Sequence, residues 1–468
     1  MGALAPIHVF QVLDQINGIV WGPITLWLIG LTGLYLMVGL GFMTLRRIGF
    51  GFRQAIGSIG NTKGEGDVNA FEGLTTALAA TIGTGNVAGV ASAIATGGPG
   101  AVFWMWLIAL VGMATKYAES VLAVHYREVD ALGEHVGGPM YFIRNGLGPR
   151  WAWLGVLFAI FGTLAGFGIG NSVQSHELAL ALHKSMGVPE LATGIVMGAI
   201  TFLVLIGGIE RIGKVTEVVV PFMAIVYVLG GIVILVGNYD RIPMAFGVIF
   251  SDAFTAQSMA GGALGVMIQK GIARGIFSNE AGLGTAPIAQ AAAKPGDPVL
   301  QGSVAMLGTF IDTIVVCSMT ALVIVMSGAY ESGETGVALT MSAFDWGMPG
   351  GMWLVTFGTV FFTATTILGW GYYSERCLEF LVGVRGIKPF RYLWVVAVVL
   401  GAISSQSGPN ALARAQTTSI VWTIADILNG LMAIPNLIGL LLLSGTVFEL
   451  TRSYNFDPVV VDDSADQD

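Results

Sequence analysis

Charge is scarce in this chain of 468 residues, and that scarcity excludes a soluble protein. Only 11% of the residues are charged and 54% are hydrophobic, whereas soluble domains carry about 25% charged residues. No charge at all occurs over residues 15–45, 73–115 or 151–176. A helix needs about 20 apolar residues to cross the hydrocarbon core of a bilayer, so these gaps predict an all-α integral membrane protein.

Cysteine and histidine are also sparse. Cys317 and Cys377 both fall in or beside apolar stretches, so neither a disulfide framework nor a cysteine metal site is indicated. The five histidines are scattered near predicted helix ends, and no cluster of nucleophiles or metal ligands suggests an enzyme. We therefore expect no enzymatic activity, no bound cofactor and no nucleic-acid partner. The first charge is Asp14, so we expect no cleavable signal peptide.

Eleven transmembrane helices are predicted, because charges, prolines and glycines divide the apolar sequence into that many segments. They lie near residues 17–45, 71–95, 101–126, 151–183, 191–209, 215–237, 253–293, 298–328, 346–374, 392–410 and 417–448. With the N-terminus outside, 15 of the 21 Lys and Arg residues fall on the cytoplasmic side and 3 outside. This asymmetry predicts an external N-terminus and a cytoplasmic C-terminus in a prokaryotic plasma membrane. The acidic tail, 449–468, is predicted to be disordered.

One stretch interrupts the second predicted helix, "ATIGTGNVAG" at residues 80–89. Its glycines match a dinucleotide-binding pattern, but no acidic residue follows to hold a ribose, which excludes that interpretation. The glycines alone are also consistent with close helix packing. The polar groups of Thr81, Thr84 and Asn86 favour a helix broken in the membrane, where freed carbonyls ligate a cation and freed N–H groups bind a carboxylate. We also expect a strained φ at Gly85.

A second break is predicted in "QKGIARGIFSNEAGLGTAP", within the seventh predicted helix. A cytoplasmic loop there would invert every later segment and remove the charge asymmetry. Interrupted helices in matching positions of two inverted halves are typical of secondary transporters. The predicted organisation is a single transmembrane domain with an extra helix (17–45), a first repeat (71–239) and an inverted second repeat (253–448).

Several motifs together resemble the alanine or glycine:cation symporter family. They are "FEGLTTALAATIGTGNVAGV", "GGPGAVFWMW", "GMATKYAE", "GGPMYF", "RGIFSNEAGLGTAPIA", "GTFIDTIVVC", "TILGWGYY" and "MAIPNLIGLLLLSG". The resemblance covers about residues 18–448 and implies a LeuT-type 5+5 inverted-repeat fold with one additional N-terminal helix. It also implies symport of a small neutral amino acid, alanine or glycine, with sodium or protons. A LeuT-type carrier for another small solute remains an alternative, as does a channel.

Site residues follow from the same resemblance. Thr84 and Gly85 are expected to offer backbone N–H groups to the substrate carboxylate. Sodium is expected to bind the carbonyls of Ala79 and Ile82 and the hydroxyls of Thr365 and Thr366, with Thr81 and Asn86 nearby, although membrane threonines also bond to their own helix. Three further residues, Gln174, Trp370 and Phe277, are expected to line the substrate pocket.

The spacing of Phe167, Asn171 and Gln174 places them on one face of an α-helix, which suits a wall of the cavity. The intramembrane charges are harder to assign. We considered Glu280 either as a cation ligand or as a partner of Arg274, and Asp312 and Asp426 either as functional acids or as partners of Lys270 or Arg274. Lys116 and Glu119 are predicted to form a structural pair.

Overall fold

Helices make up nearly all of the regular structure in the computed structural model, which describes residues 5–61, 63–254, 263–404 and 411–456. The α-helices are α1 Ala5–Val20, α2 Pro23–Gly39, α3 Met43–Arg46, α4 Ile48–Gly57, α5 Ala70–Thr81, α6 Val90–Gly97, α7 Ala101–His125, α8 Pro139–Leu147, α9 Ala152–Ala165, α10 Val173–Met186, α11 Glu190–Leu205, α12 Gly208–Gly237, α13 Ile242–Ala253, α14 Ala263–Asn279, α15 Ala286–Gln290, α16 Pro298–Thr309, α17 Ser318–Ser327, α18 Gly336–Gly347, α19 Gly351–Val382, α20 Ile387–Ile403, α21 Ala411–Leu442 and α22 Ser444–Ser453. Three segments are π-helical and continue into α6, α10 and α17, respectively: Gly85–Gly89, Gly166–Ser172 and Phe310–Cys317. Short 3₁₀ turns occupy Pro149–Trp151, Tyr239–Arg241, Ala329–Ser332 and Val384–Gly386.

The described residues include four two-residue strands, which form one long-range pair and one hairpin. They are β1 Val68–Asn69, β2 Glu128–Val129, β3 His135–Val136 and β4 Ala293–Lys294. β1 runs parallel to β4 and β2 antiparallel to β3. Because β1 immediately precedes the first broken helix and β4 follows the second, the parallel pair joins the two broken helices at these ends.

Within the described residues, eight helices are long and apolar enough to cross a membrane, and a ninth span results if the bent pair Ala70–Thr81 and Gly85–Gly97 is one crossing. One shorter apolar helix is α11. Exposed aliphatic and aromatic side chains occur along these helices, for example Ile24, Trp27 and Val218. Such exposure suits contact with lipid, and the protein is therefore a multi-pass helical membrane protein.

Several predicted boundaries differ from the structure. The helix expected over 17–45 is divided between α1 and α2, where Gly22 and Pro23 interrupt it; Pro23 has no N–H to continue the hydrogen bonds of α1. Four helices, α4, α8, α13 and α18, lie wholly or almost wholly outside the predicted spans and occupy the connections between them. Residues 449–453, which we predicted to be disordered, belong to α22, whose Val447 and Thr451 are buried. The remainder of the predicted tail, 457–468, lies outside the described residues.

A buried arginine joins α19 to the β2–β3 hairpin. The Arg376 guanidinium lies 2.9 Å from Glu134 and 3.5 Å from Asp130 of the hairpin, and 2.7 Å from Glu379 and 3.0 Å from Glu375 of its own helix. Burial raises the pKa of Glu134, and the charge of Arg376 opposes that rise. The predicted span 346–374 would place Arg376 just beyond its helix. The observed helix α19 continues to Val382, so Arg376 lies within it and is buried.

Candidate functional site

The first broken helix turns by 54° between Ala70–Thr81 and Gly85–Gly97. Ile82 leaves the helix with an extended conformation (φ −76°, ψ 91°), and helical geometry resumes at Thr84 (φ −58°, ψ −24°). The first N–H groups of a helix have no acceptor within that helix. The segment therefore presents carbonyls from one half-helix and N–H groups from the next at the same buried point.

Gly83 allows a close approach of a neighbouring helix, and neither glycine of this break has an unusual backbone angle. Positive φ values are found at neither Gly83 nor Gly85, so the strained φ expected at Gly85 is wrong. A Cβ on Gly83 would lie 2.7 Å from the Thr366 hydroxyl of α19, and one on Gly85 would lie 3.4 Å from the Ser278 Cα of α14. The break therefore packs directly against both α19 and the second broken helix.

Oxygen atoms from two elements meet where the first half of this broken helix ends. The Thr366 hydroxyl lies 3.4 Å from the Ile82 carbonyl oxygen and donates to Phe362 of its own helix at 2.9 Å. Oxygen ligands about 2.4 Å from a hard cation in octahedral geometry lie about 3.4 Å apart. Ala79 and Thr365 are buried, but the Thr365 hydroxyl donates to Phe361 of its own helix at 3.0 Å and to the Met223 sulfur at 3.6 Å.

The second break lies between α14 and α15 and contains three residues with positive φ, Glu280 (57°), Gly282 (93°) and Gly284 (80°). Its freed backbone groups are bound by side chains from other helices. One carboxylate oxygen of Glu119 on α7 accepts the N–H groups of Gly282 (3.0 Å) and Gly284 (3.2 Å) and the amide of Asn436 on α21 (2.7 Å). Irregular backbone in a membrane requires such internal partners.

Glu119 therefore does not form the pair with Lys116 that the sequence suggested. The second oxygen of Glu119 and the Lys116 ammonium group are both buried without a hydrogen-bond partner. The bonding oxygen of Glu119 is taken up by the N–H groups of the broken segment and by Asn436, and no oxygen of Glu119 lies within 4.0 Å of the Lys116 ammonium group.

A buried polar cluster connects the two breaks. Asp312, in the π-helical segment between α16 and α17, accepts from Asn86 (2.6 Å) at one oxygen and from Ser278 (2.9 Å) and Thr313 (2.7 Å) at the other. Asn86 in turn accepts the Gly83 N–H at 2.9 Å. Asp312 thus binds neutral donors of both broken helices, and no ion pair with Lys270 or Arg274 is found among the described residues.

Gln174 faces the first break, whereas Asn171 and Phe167 do not. The Gln174 amide donates to the Thr84 hydroxyl (3.3 Å), and its carbonyl oxygen is buried without a partner. Asn171 donates to the Trp394 carbonyl of α20 at 2.9 Å, and the Phe167 ring contacts that of Trp394. The shared face predicted for these three is absent because Gly166–Ser172 is π-helical, and its wider turn rotates Gln174 away from the others.

Trp370 and Phe277 approach the second break from different sides. The Trp370 indole N–H donates to Glu280 at 2.9 Å, and Thr285 donates to the other Glu280 oxygen at 2.6 Å. Glu280 is thus held by neutral donors, and the pairing considered with Arg274 is not found. The guanidinium of Arg274 instead lies over the Phe277 ring, 5.5 Å from its centroid.

A charged cavity of about 260 Å³ opens beside Phe277. Its charged lining residues are Asp14, Lys270, Arg274 and Asp426. Asp426 also accepts from Asn17 at 3.0 Å. Asp426 and Arg274 therefore line the same cavity, but the ion pair with Lys270 or Arg274 that we considered for Asp426 is not found among the described residues.

Sequence reasoning did not identify the residues whose side chains form hydrogen bonds at the two breaks. Glu119, Ser278 and Asn436 were assigned no site role, although the polar side chain of Asn436 within an apolar stretch was a usable signal. Thr320 was missed as well; its hydroxyl donates to the Asn86 carbonyl at 2.8 Å.

Known proteins similar to this chain are transporters. The family model described as "Sodium:alanine symporter family" matches residues 7–460. The sodium/alanine symporter AgcS of Methanococcus maripaludis is 49% identical over 95% of this chain and 97% of its own length. A probable sodium/glutamine symporter, GlnT of Bacillus subtilis, is 35% identical over 95% of this chain and 91% of its own.

Among solved structures, MhsT in complex with L-phenylalanine superimposes with a TM-score of 0.54. The alignment covers 83% of this chain and 99% of MhsT at 14% identity, so it supports the fold alone. The matched family consists of transporters and not enzymes. The family model matches nearly the whole chain, and AgcS is 49% identical over 95% of it. The chain therefore belongs to the sodium:alanine symporter family.

Proposed function

We propose that this protein is a sodium-coupled symporter that carries alanine across the membrane by alternating access. The observation that carries the proposal is the first break, where carbonyls and N–H groups of opposite polarity are freed at one buried point beside Thr366. The family match and the similarity to AgcS, a sodium/alanine symporter, support both sodium and alanine. Glycine is proposed as a second substrate because it has the same backbone groups and a smaller side chain.

The amino acid is held mainly by backbone groups in this proposal. The N–H groups of Thr84 and Gly85, at the positive end of the second half-helix, bind the carboxylate. The partnerless carbonyl oxygen of Gln174 accepts from the substrate ammonium group, since a buried acceptor without a partner costs about 1–3 kcal/mol. Phe277 and Trp370 limit the space for a side chain.

Sodium is proposed to bind the carbonyls of Ala79 and Ile82 and the hydroxyls of Thr365 and Thr366. The 3.4 Å between the Ile82 and Thr366 oxygens suits two ligands of one hard cation. Thr81 and Asn86 support the bend, and neutral oxygen ligands favour Na⁺ over a transition metal.

The proposed architecture contains eleven spans in two inverted repeats of five plus an N-terminal helix. The bent pair α5–α6, the short α11 and the broken pair α14–α15 supplement the eight long apolar helices to give that number. In this arrangement the N-terminus is external and the C-terminus cytoplasmic, in a prokaryotic plasma membrane.

Uptake into proteoliposomes tests the proposal. Labelled alanine, glycine and glutamine are each supplied with an imposed sodium gradient, an imposed proton gradient or neither. We expect alanine accumulation with the sodium gradient and little with the proton gradient. Glutamine accumulation without alanine accumulation would reassign the substrate, and flux far above about a thousand per second would indicate a channel, because transporter cycles require conformational steps on microsecond to millisecond or slower scales.

A further inference from the structure

A pocket lined by three arginines lies where the first long apolar span ends. Its volume is about 530 Å³, and its lining includes Arg46, Arg47 and Arg452 together with Phe448 and Phe456. The chain leaves α2 through two residues in the left-handed region, Gly41 (φ 58°) and Phe42 (φ 59°). This reversal brings Arg46 back so that it donates to the Gly41 carbonyl at 2.6 Å, and α22 supplies Arg452 from the other side.

The positive charge of this pocket is not neutralised within the described residues. All three arginines are exposed, and across the described ranges no carboxylate oxygen comes within 4.0 Å of any of them. The Arg47 guanidinium lies over the Phe456 ring at 5.3 Å, which orients it without supplying an anion. Each guanidinium group presents a planar fork of N–H donors that matches phosphate oxygens, and three of them line this pocket.

An apolar strip leads from the pocket along the outer face of α2. Leu31, Leu34, Tyr35 and Val38 are 45–57% exposed, on a helix long and apolar enough to cross the membrane. The Tyr35 ring contacts the Phe448 ring (centroids 5.8 Å apart), and Phe448 lines the pocket. Basic groups at a membrane surface therefore adjoin a surface on which an acyl chain can lie.

We propose that this pocket binds the phosphate headgroup of an anionic phospholipid, with an acyl chain along α2. Basic pockets between transmembrane helices bind such headgroups. The acidic tail that follows Phe456 has complementary charge too, with Asp457, Asp462, Asp463, Asp466 and Asp468. The lipid is favoured because only a lipid also uses the apolar strip.

The test compares two triple variants that lose the same charge. R46Q/R47Q/R452Q removes the three positive charges of the pocket. R150Q/R385Q/K388Q removes three positive charges from exposed residues elsewhere. The purified full-length protein is titrated with phosphatidylglycerol and phosphatidylcholine in detergent, and bound lipid is counted by native mass spectrometry. We expect phosphatidylglycerol affinity to fall about tenfold or more in the pocket variant and to stay near wild type in the control, with phosphatidylcholine unaffected by either.

Three results would overturn the proposal. Equal losses in the two triple variants would show general surface attraction. Displacement of the lipid by glycerol 3-phosphate or inorganic phosphate at similar concentration would show a soluble ligand. Tight lipid binding only in a chain ending at Phe456 would assign the pocket to the tail. Each single Arg→Gln variant is measured as well, with thermal unfolding as a folding check, and we expect a partial loss from each.

Discussion

Glu119 offers the sharpest test of how the second break is held. One of its oxygens accepts three hydrogen bonds, from Gly282, Gly284 and Asn436, at 2.7–3.2 Å. Glu119→Leu replaces the carboxylate by an apolar side chain of similar size and removes every acceptor. Glu119→Gln keeps one acceptor oxygen and removes only the charge. The pair therefore separates the acceptor role of Glu119 from its charge.

The expected magnitude follows from counting donors. Each buried donor left without a partner costs about 1–3 kcal/mol, so the Leu variant loses about 3–9 kcal/mol from these three donors. Replacing a charged acceptor by a neutral one costs about 1 kcal/mol per bond, so the Gln variant loses about 3 kcal/mol. Whole domains have a free energy of unfolding of only about 5–15 kcal/mol, so the Leu change is severe.

Thermal unfolding of the purified protein in detergent measures the difference, with Glu449 as the matched control. Glu449 is exposed, so Glu449→Leu and Glu449→Gln are expected to leave Tm near wild type. We expect Glu119→Leu to lower Tm clearly more than Glu119→Gln does. If the two Glu119 variants have the same Tm, or if both have the Tm of the Glu449 controls, the acceptor role of Glu119 is refuted.

Further changes test the first break and the ion-pair network. Thr366→Val deletes an oxygen beside the Ile82 carbonyl and is expected to raise the sodium concentration needed for half-maximal alanine uptake, while Thr366→Ser is not; equal sodium dependence in all three proteins would exclude Thr366 from the site. Gln174→Leu is expected to weaken alanine affinity about tenfold or more, because the pocket then lacks an acceptor; wild-type affinity would remove Gln174 from the binding site. Arg376→Gln leaves four carboxylates without their shared cation and is expected to cost about 3–5 kcal/mol of stability. Its Tm is expected to lie below that of the control Arg385→Gln, which changes an exposed arginine. Equal Tm values would contradict a structural role for Arg376.

The first break was predictable because its signal is local. A run with no charge from Gly73 to Thr115, interrupted by glycines and by Thr81, Thr84 and Asn86, has few explanations inside a bilayer. Helix ends were less predictable, since α19 extends eight residues beyond the predicted limit of 374, to Val382. Its last turns carry charges, and only their burial against the β2–β3 hairpin allows the helix to continue.

The direction of side chains could not be predicted from spacing in two cases. Asn171 and Gln174 share a face in a regular α-helix, but a π-helical segment lies before Gln174 and changes its direction. Lys116 and Glu119 are three residues apart, yet Glu119 binds backbone N–H groups more than 160 positions later in the chain. Charge-assisted hydrogen bonds to backbone that has no other partner prevail over an ion pair.

Composition and the long motifs alone determined that the chain is a helical membrane protein, where the first of its two broken helices is interrupted and which family it resembles. Hydrophobicity and backbone flexibility act over a few neighbouring residues, so these features can be read from the sequence. The tertiary structure decided which groups meet. Only there does Thr366 reach the Ile82 carbonyl, Asp312 join both breaks and Arg376 gather four carboxylates from two elements. These contacts join residues that are far apart in the chain, and in an apolar interior each polar group must find its partner wherever the packing brings one.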